Sequence, residues 1–149
     1  MKEVYYSKNV AETEALGENL AKKLPENCFI AMYGDLGMGK TAFVRGLCKS
    51  LCPDDRVTSP TYTIVNIYKQ GKARINHFDM YRITDEDSLE SVGFYDYLPQ
   101  GITVCEWCEN IPFALPEVYL EVRFSLDDDN NRVITLCVKG GEGYADLGY

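Results

Sequence analysis

The spacing of apolar residues changes several times along this chain, and each spacing predicts a different element. Cys28 to Tyr33 is a nearly continuous apolar run, which is typical of a strand buried on both faces. After Lys40, apolar residues recur every three or four positions and predict an amphipathic helix; they are Phe43, Val44, Leu47, Cys48 and Leu51. A second helical stripe follows Asn9, which stands three residues before Glu12 in a capping-box arrangement; its members are Leu16, Leu20, Ala21 and Leu24.

Runs rich in β-branched, aromatic or alternating residues predict the remaining strands. They cover Lys2 to Tyr6, Thr63 to Lys69, Ala73 to Asp79, Ile102 to Trp107, Val118 to Leu126 and Arg132 to Val138. The clean alternation from Val118 to Leu126 predicts one buried face and one wet face, the wet face carrying Tyr119, Glu121, Arg123 and Ser125. Thr84 with Asp87 forms a capping pattern that begins a short helix ending at Gly93.

Strands and helices that alternate in this way predict an α/β fold with three layers. We expect a P-loop NTPase-like architecture, with a mixed central sheet and antiparallel hairpins. Residues 1–139 are predicted to form one domain, and the glycine-rich residues 140–149 a loose tail.

The loop between the first buried strand and the helix carries the strongest chemical signal. It contains the phosphate-binding pattern Gly34-x-x-x-x-Gly39-Lys40-Thr41. Glycines allow a tight turn that directs successive N–H groups at phosphate oxygens, and the positive end of the helix dipole adds to that field. Lys40 supplies a charge for the β- and γ-phosphates, and the Thr41 hydroxyl is a candidate ligand of Mg²⁺.

Two carboxylates stand at the ends of later strands. Glu106 closes the apolar run from Ile102, at the edge of the sheet where nucleotides bind in open α/β folds, and it is a candidate for holding Mg²⁺ or for activating water. Asp79 ends an earlier strand and is a second candidate for the metal or its waters. The alternative for Asp79 is a pair with Arg82 or a turn cap. Trp107, directly after Glu106, either covers the site or packs.

The segment Val57 to Tyr62 has two open interpretations. Its hydroxyl residues and fixed proline suit a plain turn, and in a phosphate-loop protein they also suit a sensor of the γ-phosphate or of Mg²⁺. His77, the only histidine, is interpreted as a packed or hydrogen-bonded residue and not as a catalyst. The helix after Asn9 either forms a wall beside the nucleotide base or packs without contacting it.

Composition limits the kind of partner and the compartment. The 149 residues carry a net charge of −8, which disfavours direct binding to a nucleic-acid backbone. The six cysteines are interpreted as buried free thiols of a reducing cytoplasm. The CxxC spacing of Cys105 and Cys108 leaves a redox pair or half a zinc site as the alternative. No signal peptide and no membrane-spanning run is predicted.

Four motifs together resemble one family. They are Gly34 to Thr41, Ser59-Pro60-Thr61-Tyr62, His77-Phe78-Asp79-Met80-Tyr81-Arg82 and Glu106-Trp107, in the order and spacing of the TsaE (YjeE) family. The resemblance covers the chain up to about Val138. It implies a bacterial ATPase that binds ATP and Mg²⁺ and works with TsaD and TsaB. It also implies that the complex carries threonylcarbamoyl onto adenosine 37 of tRNAs that read ANN codons.

The resemblance also implies roles for single residues. The positions matching Leu36, Gly37, Met38, Gly39, Lys40 and Thr41 contact the nucleotide phosphates. Gly34 and Asp35, at the start of the same loop, are further cofactor-binding candidates. Those matching Thr41, Glu106 and Asp79 belong to the metal and water site. The segment around Thr61 is implied to act as a switch-like loop. Trp107 and Arg132 are further nucleotide candidates, although Asn131 precedes Arg132 where the family often has glycine. Met38 replaces a common alanine, and an unbranched side chain directed away from the phosphates should be tolerated.

Three functions therefore remain in view. The first is an ATPase whose turnover is slow alone and is activated by TsaD-like and TsaB-like partners, with tRNA contacted only through the complex. The second is a small-molecule P-loop kinase, for which the short acidic segment 84–98 offers the only candidate lid. The third is a nucleotide sensor with negligible turnover. No Asn-Lys-x-Asp segment is present, which disfavours GTP.

Overall fold

The structure is a computed structural model, and it describes residues 2–35 and 37–140. Helices and strands fall close to their predicted positions. The strands are β1 (Lys2–Ser7), β2 (Cys28–Tyr33), β3 (Val65–Tyr68), β4 (Ile75–Asp79), β5 (Ile102–Glu106), β6 (Tyr119–Leu126) and β7 (Arg132–Lys139). The helices are α1 (Val10–Ala21), α2 (Lys40–Leu51), α3 (Glu86–Ser91) and α4 (Phe94–Tyr97). Two short 3₁₀ turns, Cys108–Asn110 and Pro112–Ala114, follow β5.

All seven strands belong to one mixed sheet with the order β1-β7-β6-β2-β5-β4-β3. The central strands β6, β2, β5 and β4 run parallel, and both edges are antiparallel. The predicted α/β fold with a mixed sheet is confirmed. Both predicted hairpins also form, but they extend the central sheet and do not stand apart from it.

Helices α1 and α2 cover one face of the sheet, where they pack on a core that includes Ile30, Phe43 and Val104. The two helices approach each other through glycines. A Cβ added at Gly46 would lie 2.0 Å from the carbonyl oxygen of Glu14, and this leaves no room for a side chain. The close approach brings the start of α1 beside the loop that precedes α2.

The second face is covered by α3, α4 and the 3₁₀ turns, so the molecule has three layers. Phe94 is fully buried there and meets Phe29 and Phe78 edge to face. Strand β6 departs from its prediction on this side. Glu121 is on the face predicted to be wet but is only 7% exposed, because the side chains of Arg123 and Lys139 lie against its carboxylate. Arg123 and Lys139 neutralise its carboxylate, with the Arg123 Nη2 atom at 2.5 Å.

One of the two predicted helix caps forms, at the start of α1. Asn9 caps α1 as predicted, because its Oδ1 accepts from the N–H of Glu12 at 2.8 Å. The predicted cap at Thr84 is wrong: Asp85 is the extended residue that accepts from the N–H of Ser88. Residues 141–149, most of the predicted tail, lie outside the described residues. Within the described ranges, no helix is both long and apolar enough to cross a bilayer.

Candidate functional site

The loop between β2 and α2 has the backbone that phosphate binding requires. Gly37 and Gly39 have φ angles of 78° and 100°, a region that side chains other than glycine rarely enter. A Cβ added at Gly37 would meet nothing within 4 Å, so the space in front of the loop is open. Helix α2 begins at Lys40 with Gly39 as its cap and no side-chain cap. Its first N–H groups are therefore available to an anion.

Lys40 is 5% exposed, and its ammonium group lies inside the site. Its Nζ donates to the carbonyl of Gly34 at 2.5 Å and lies 4.4 Å from the centre of the Trp107 ring. A cation over an indole face is stabilised by the ring quadrupole. Trp107 therefore lies over the site, and its ring also packs against Tyr81, with the centroids 5.1 Å apart, and against the second core. Its own backbone is left-handed, with φ of 56°, which places the ring beside the end of β5.

The two predicted carboxylates lie side by side. Strands β4 and β5 are parallel neighbours, and Asp79 is the register partner of Glu106. Both are nearly buried, at 3% and 4% exposure. The Oε2 atom of Glu106 contacts the Nε2 atom of His77 at 2.5 Å, so His77 is hydrogen-bonded, in agreement with its interpretation from the sequence. Asp79 does not pair with Arg82, since Arg82 stacks on Tyr62 at 4.6 Å.

The loop after α2 contacts Asp79, one member of the acidic pair, directly. Thr61 Oγ1 donates to Asp79 Oδ2 at 3.1 Å, and the N–H of Tyr81 donates to Asp79 Oδ1 at 2.8 Å. Ile64, just beyond the loop, has a φ angle of 70°. This is a strained conformation for a β-branched residue, and such strain is concentrated at functional sites. The loop is therefore part of the site, which favours the sensor interpretation over a plain turn.

One cavity of about 320 Å³ collects most of the predicted residues. Those that line it are Gly37, Gly39, Lys40, Thr41, Thr61, Asp79, Glu106, Trp107 and Arg132. Arg132 comes from the start of β7, two strands away from β2 in the sheet, and its Nη2 donates to the carbonyl of Gly37 at 3.0 Å. An adjoining hollow of about 270 Å³ is lined by Asn9, Val10 and Thr13, so the start of α1 does form a wall beside the site.

Two of the described loop residues, Asp35 and Met38, do not line the cavity. Asp35 is exposed to solvent on the outer side of the loop. Met38 is half-buried and packs against the core, so its side chain leaves the loop backbone open. Leu36 lies outside the described residues. Gly34 contributes through its carbonyl, which accepts from Lys40.

Several residues at the cavity were not predicted from the sequence. Arg45, on the next turn of α2, lines it, and so does Val10 at the start of α1. Arg45 gave no signal because an arginine on a helix surface is common; in the structure its guanidinium group also lies 3.5 Å from Glu14. His77 stands two residues before Asp79 in a strand. The alternation of side chains could therefore have placed it on the same face as that carboxylate.

The cysteines near the site are buried. Burial raises the pKa of the Cys105 thiol well above its usual range, and the neighbouring Cys108 adds to the shift. A thiol that stays neutral is a poor nucleophile and a poor metal ligand. Among the described residues, no cluster of three or more His, Cys, Asp or Glu side chains is arranged to hold a metal. The alternative of half a zinc site at Cys105 and Cys108 therefore gains no support.

Comparison with known proteins agrees with the fold and the motifs. A family model described as "Threonylcarbamoyl adenosine biosynthesis protein TsaE" matches residues 7–134. The chain belongs to the TsaE family. TsaE proteins that resemble it include one from Rickettsia felis, 32% identical over 90% of this chain and 79% of that protein. Another is from Bacillus subtilis, 34% identical over 89% of this chain and 83% of that protein.

A solved structure extends the comparison to three dimensions. The chain is similar to the crystal structure of Bacillus subtilis YdiB, with a TM-score of 0.81 and 26% identity. The alignment covers 99% of this chain and 92% of that one. The TsaE family takes part in tRNA threonylcarbamoyladenosine biosynthesis, and this chain shares that family role. Its fold is accordingly the P-loop NTPase-like fold expected from the sequence.

Proposed function

We propose that this TsaE-family protein binds and hydrolyses ATP with Mg²⁺. The observation that carries the proposal is the single cavity that the phosphate loop, Lys40 and the carboxylate pair share. The donor set fits the ligand: open loop amides and an ammonium group suit phosphates. The hydroxyl of Thr41 and the carboxylates of Asp79 and Glu106 suit Mg²⁺, which prefers oxygen ligands.

Each group has a distinct task in this proposal. Lys40 and the amides of Gly37 and Gly39 hold the phosphates, and Thr41 and Asp79 hold the metal or its waters. Glu106 orients the attacking water and accepts its proton. When bound, Mg²⁺ neutralises the charge that develops between the β- and γ-phosphates. Trp107 covers the site on the side of Lys40.

We further propose that turnover is slow without partners. Both arginines at the cavity are engaged within the chain, since Arg132 donates to Gly37 and Arg45 lies beside Glu14. A partner then completes the charge around the transferring phosphoryl group. The partners proposed are TsaD-like and TsaB-like proteins acting on adenosine 37 of tRNA in the cytoplasm. The net charge of −8 agrees with indirect contact to tRNA.

A small-molecule kinase is less well supported. A kinase needs a segment that closes over its acceptor, and the segment 84–98 is the candidate in this chain. Leu89 and Phe94 of that segment are fully buried in the second core. Moving the segment as a lid would expose both side chains, which disfavours closure.

The test compares hydrolysis and binding in matched variants. Glu106→Gln should abolish ATP hydrolysis and leave appreciable binding of nucleotide, because the loop and Lys40 remain intact. Lys40→Ala should weaken both, because a phosphate partner is lost. Glu109→Gln, an exposed carboxylate three residues from Glu106, is the control and should change neither. Normal hydrolysis in the Glu106 variant would contradict its role.

Partner dependence needs its own measurement. The wild-type protein alone should turn over ATP below the rates typical of kinases, about 1–100 per second. Addition of TsaD-like and TsaB-like proteins should raise the rate, and ATP should alter their co-purification with this chain. Labelled phosphate recovered on an organic acceptor, in place of inorganic phosphate, would support the kinase alternative.

A further inference from the structure

A series of buried, hydrogen-bonded side chains connects Glu106 to the loop after α2. The Nε2 atom of His77 contacts Glu106 Oε2 at 2.5 Å, and the Nδ1 atom of His77 lies 3.1 Å from the hydroxyl of Tyr68. That hydroxyl lies 3.0 Å from the carbonyl oxygen of Thr58 and 3.3 Å from its N–H. The contacts therefore run without a break from the carboxylate to the loop that contains Thr58 and Thr61.

These side chains are shielded from water. His77 is fully buried, and Tyr68 and Glu106 are 3% and 4% exposed. Hydrogen bonds in such surroundings are stronger than in solvent, and a missing partner is costly. A carboxylate only accepts, so with Glu106 ionised the Nε2 atom of His77 carries the proton of their bond. When the ring carries only that proton, its Nδ1 atom accepts from the Tyr68 hydroxyl, whose single proton serves either that nitrogen or the carbonyl of Thr58.

The same loop also contacts the second acid. Thr61 Oγ1 donates to Asp79 Oδ2 at 3.1 Å, and the N–H of Asp79 donates to the carbonyl of Ile64 at 2.9 Å. Both carboxylates of the site are thus bonded to one segment. Asp79 is bonded directly, and Glu106 is bonded through two intervening side chains.

We propose that Tyr68 and His77 are positioning residues that orient Glu106 and couple it to the loop residues Thr58 to Thr61. The proposal rests on the function proposed above. His77 occupies one carboxylate oxygen of Glu106, which leaves the other for the metal or the attacking water. A shift of Thr58 moves the Tyr68 hydroxyl, and the His77 ring transmits that shift to Glu106. The loop thereby acts on both acids at once.

The first test measures the hydrogen bonds of the His77 ring by NMR, without nucleotide. His77 is the only histidine, so its ring gives a single set of NMR signals. Its Nε2–H proton should be observed, shifted downfield and exchanging slowly with water. Tyr68→Phe removes only a hydroxyl and should move the Nδ1 signal. Tyr97→Phe, a half-buried tyrosine on the other face of the sheet, is the control and should leave the ring unchanged. A ring spectrum identical in wild type and Tyr68→Phe would overturn the proposal.

The second test measures how loss of these hydrogen bonds changes the kinetics of ATP hydrolysis. Tyr68→Phe should lower kcat for ATP roughly fivefold, the effect of one buried hydrogen bond, and change KM less than twofold. His77→Gln keeps a donor for Glu106 and should retain more activity than His77→Leu, with folding checked by thermal unfolding. An unchanged kcat in Tyr68→Phe would overturn the coupling. A wild-type protein unable to hydrolyse ATP would instead refute the proposed function, and the NMR signals would still decide whether His77 and Tyr68 hold Glu106.

Discussion

Replacing Gly46 by alanine should destabilise the protein, although the same change favours an isolated helix. Gly46 lies inside α2, where alanine is intrinsically better by about 1 kcal/mol. The added Cβ, however, would lie 2.0 Å from the carbonyl oxygen of Glu14 and 2.8 Å from its carbonyl carbon. Ordinary contacts between such atoms need roughly 3.5 Å, so α1 and α2 would have to separate.

The expected magnitude follows from these opposing terms. Overpacking of a closely packed contact costs about 1–3 kcal/mol, and a clash between two helix backbones belongs at the upper end. After the gain in helix propensity, we expect a net loss of about 2 kcal/mol. This corresponds to a fall in Tm of roughly 4–8 °C for a chain of this size.

Urea unfolding followed by circular dichroism measures this loss. Ser50→Ala on the same helix is the control, and it should change the free energy of unfolding by at most about 0.5 kcal/mol. Because α2 carries Lys40 and Thr41 at its start, the Gly46 variant should also bind nucleotide more weakly. A Gly46 variant as stable as the wild type would refute the close approach of the two helices.

Two further predictions concern stability. Asn9→Ala should cost about 1 kcal/mol, because the N–H of Glu12 loses its acceptor, and an unchanged urea midpoint would contradict the cap. Burial raises the pKa of Cys28 to about 12, so the thiol stays neutral in the fold while the unfolded thiol ionises above about pH 8.5. The stability that the buried neutral thiol contributes is fully present below about pH 8.5 and is lost as pH rises towards 12. The urea midpoints of unfolding of wild type and Cys28→Ser should therefore converge at high pH.

The phosphate loop could be predicted from the sequence because its chemistry is local. Eight adjacent residues, between a buried strand and an amphipathic helix, define the turn and the helix start without any distant contact. The strands that carry Asp79 and Glu106 were recognised for a similar reason, since their apolar runs and acidic ends are neighbours in the chain. Asn9 likewise caps the helix that begins at the next residue, through the N–H of Glu12 three positions on.

Other features depended on which strands became neighbours. Glu121 was assigned to a wet face because alternation along one strand does not show which side chains of neighbouring strands, here Lys139 of β7, lie against that face. Arg45 gave no signal, since a helix surface with an arginine is common. The role of Tyr68 behind His77 required β3 to pair with β4 and the loop at Thr58 to fold over both.

The sequence by itself therefore determined the elements, the phosphate loop and the two acidic strand ends, because each depends on residues a few positions apart. Only the tertiary structure decided that β4 and β5 lie side by side, which brings Asp79 against Glu106. It also decided that Arg132 reaches Gly37 from β7, two strands away from β2. Such contacts join residues that are far apart in the chain, and they depend on the packing of the whole sheet. The periodicity of apolar residues along the chain does not indicate these contacts.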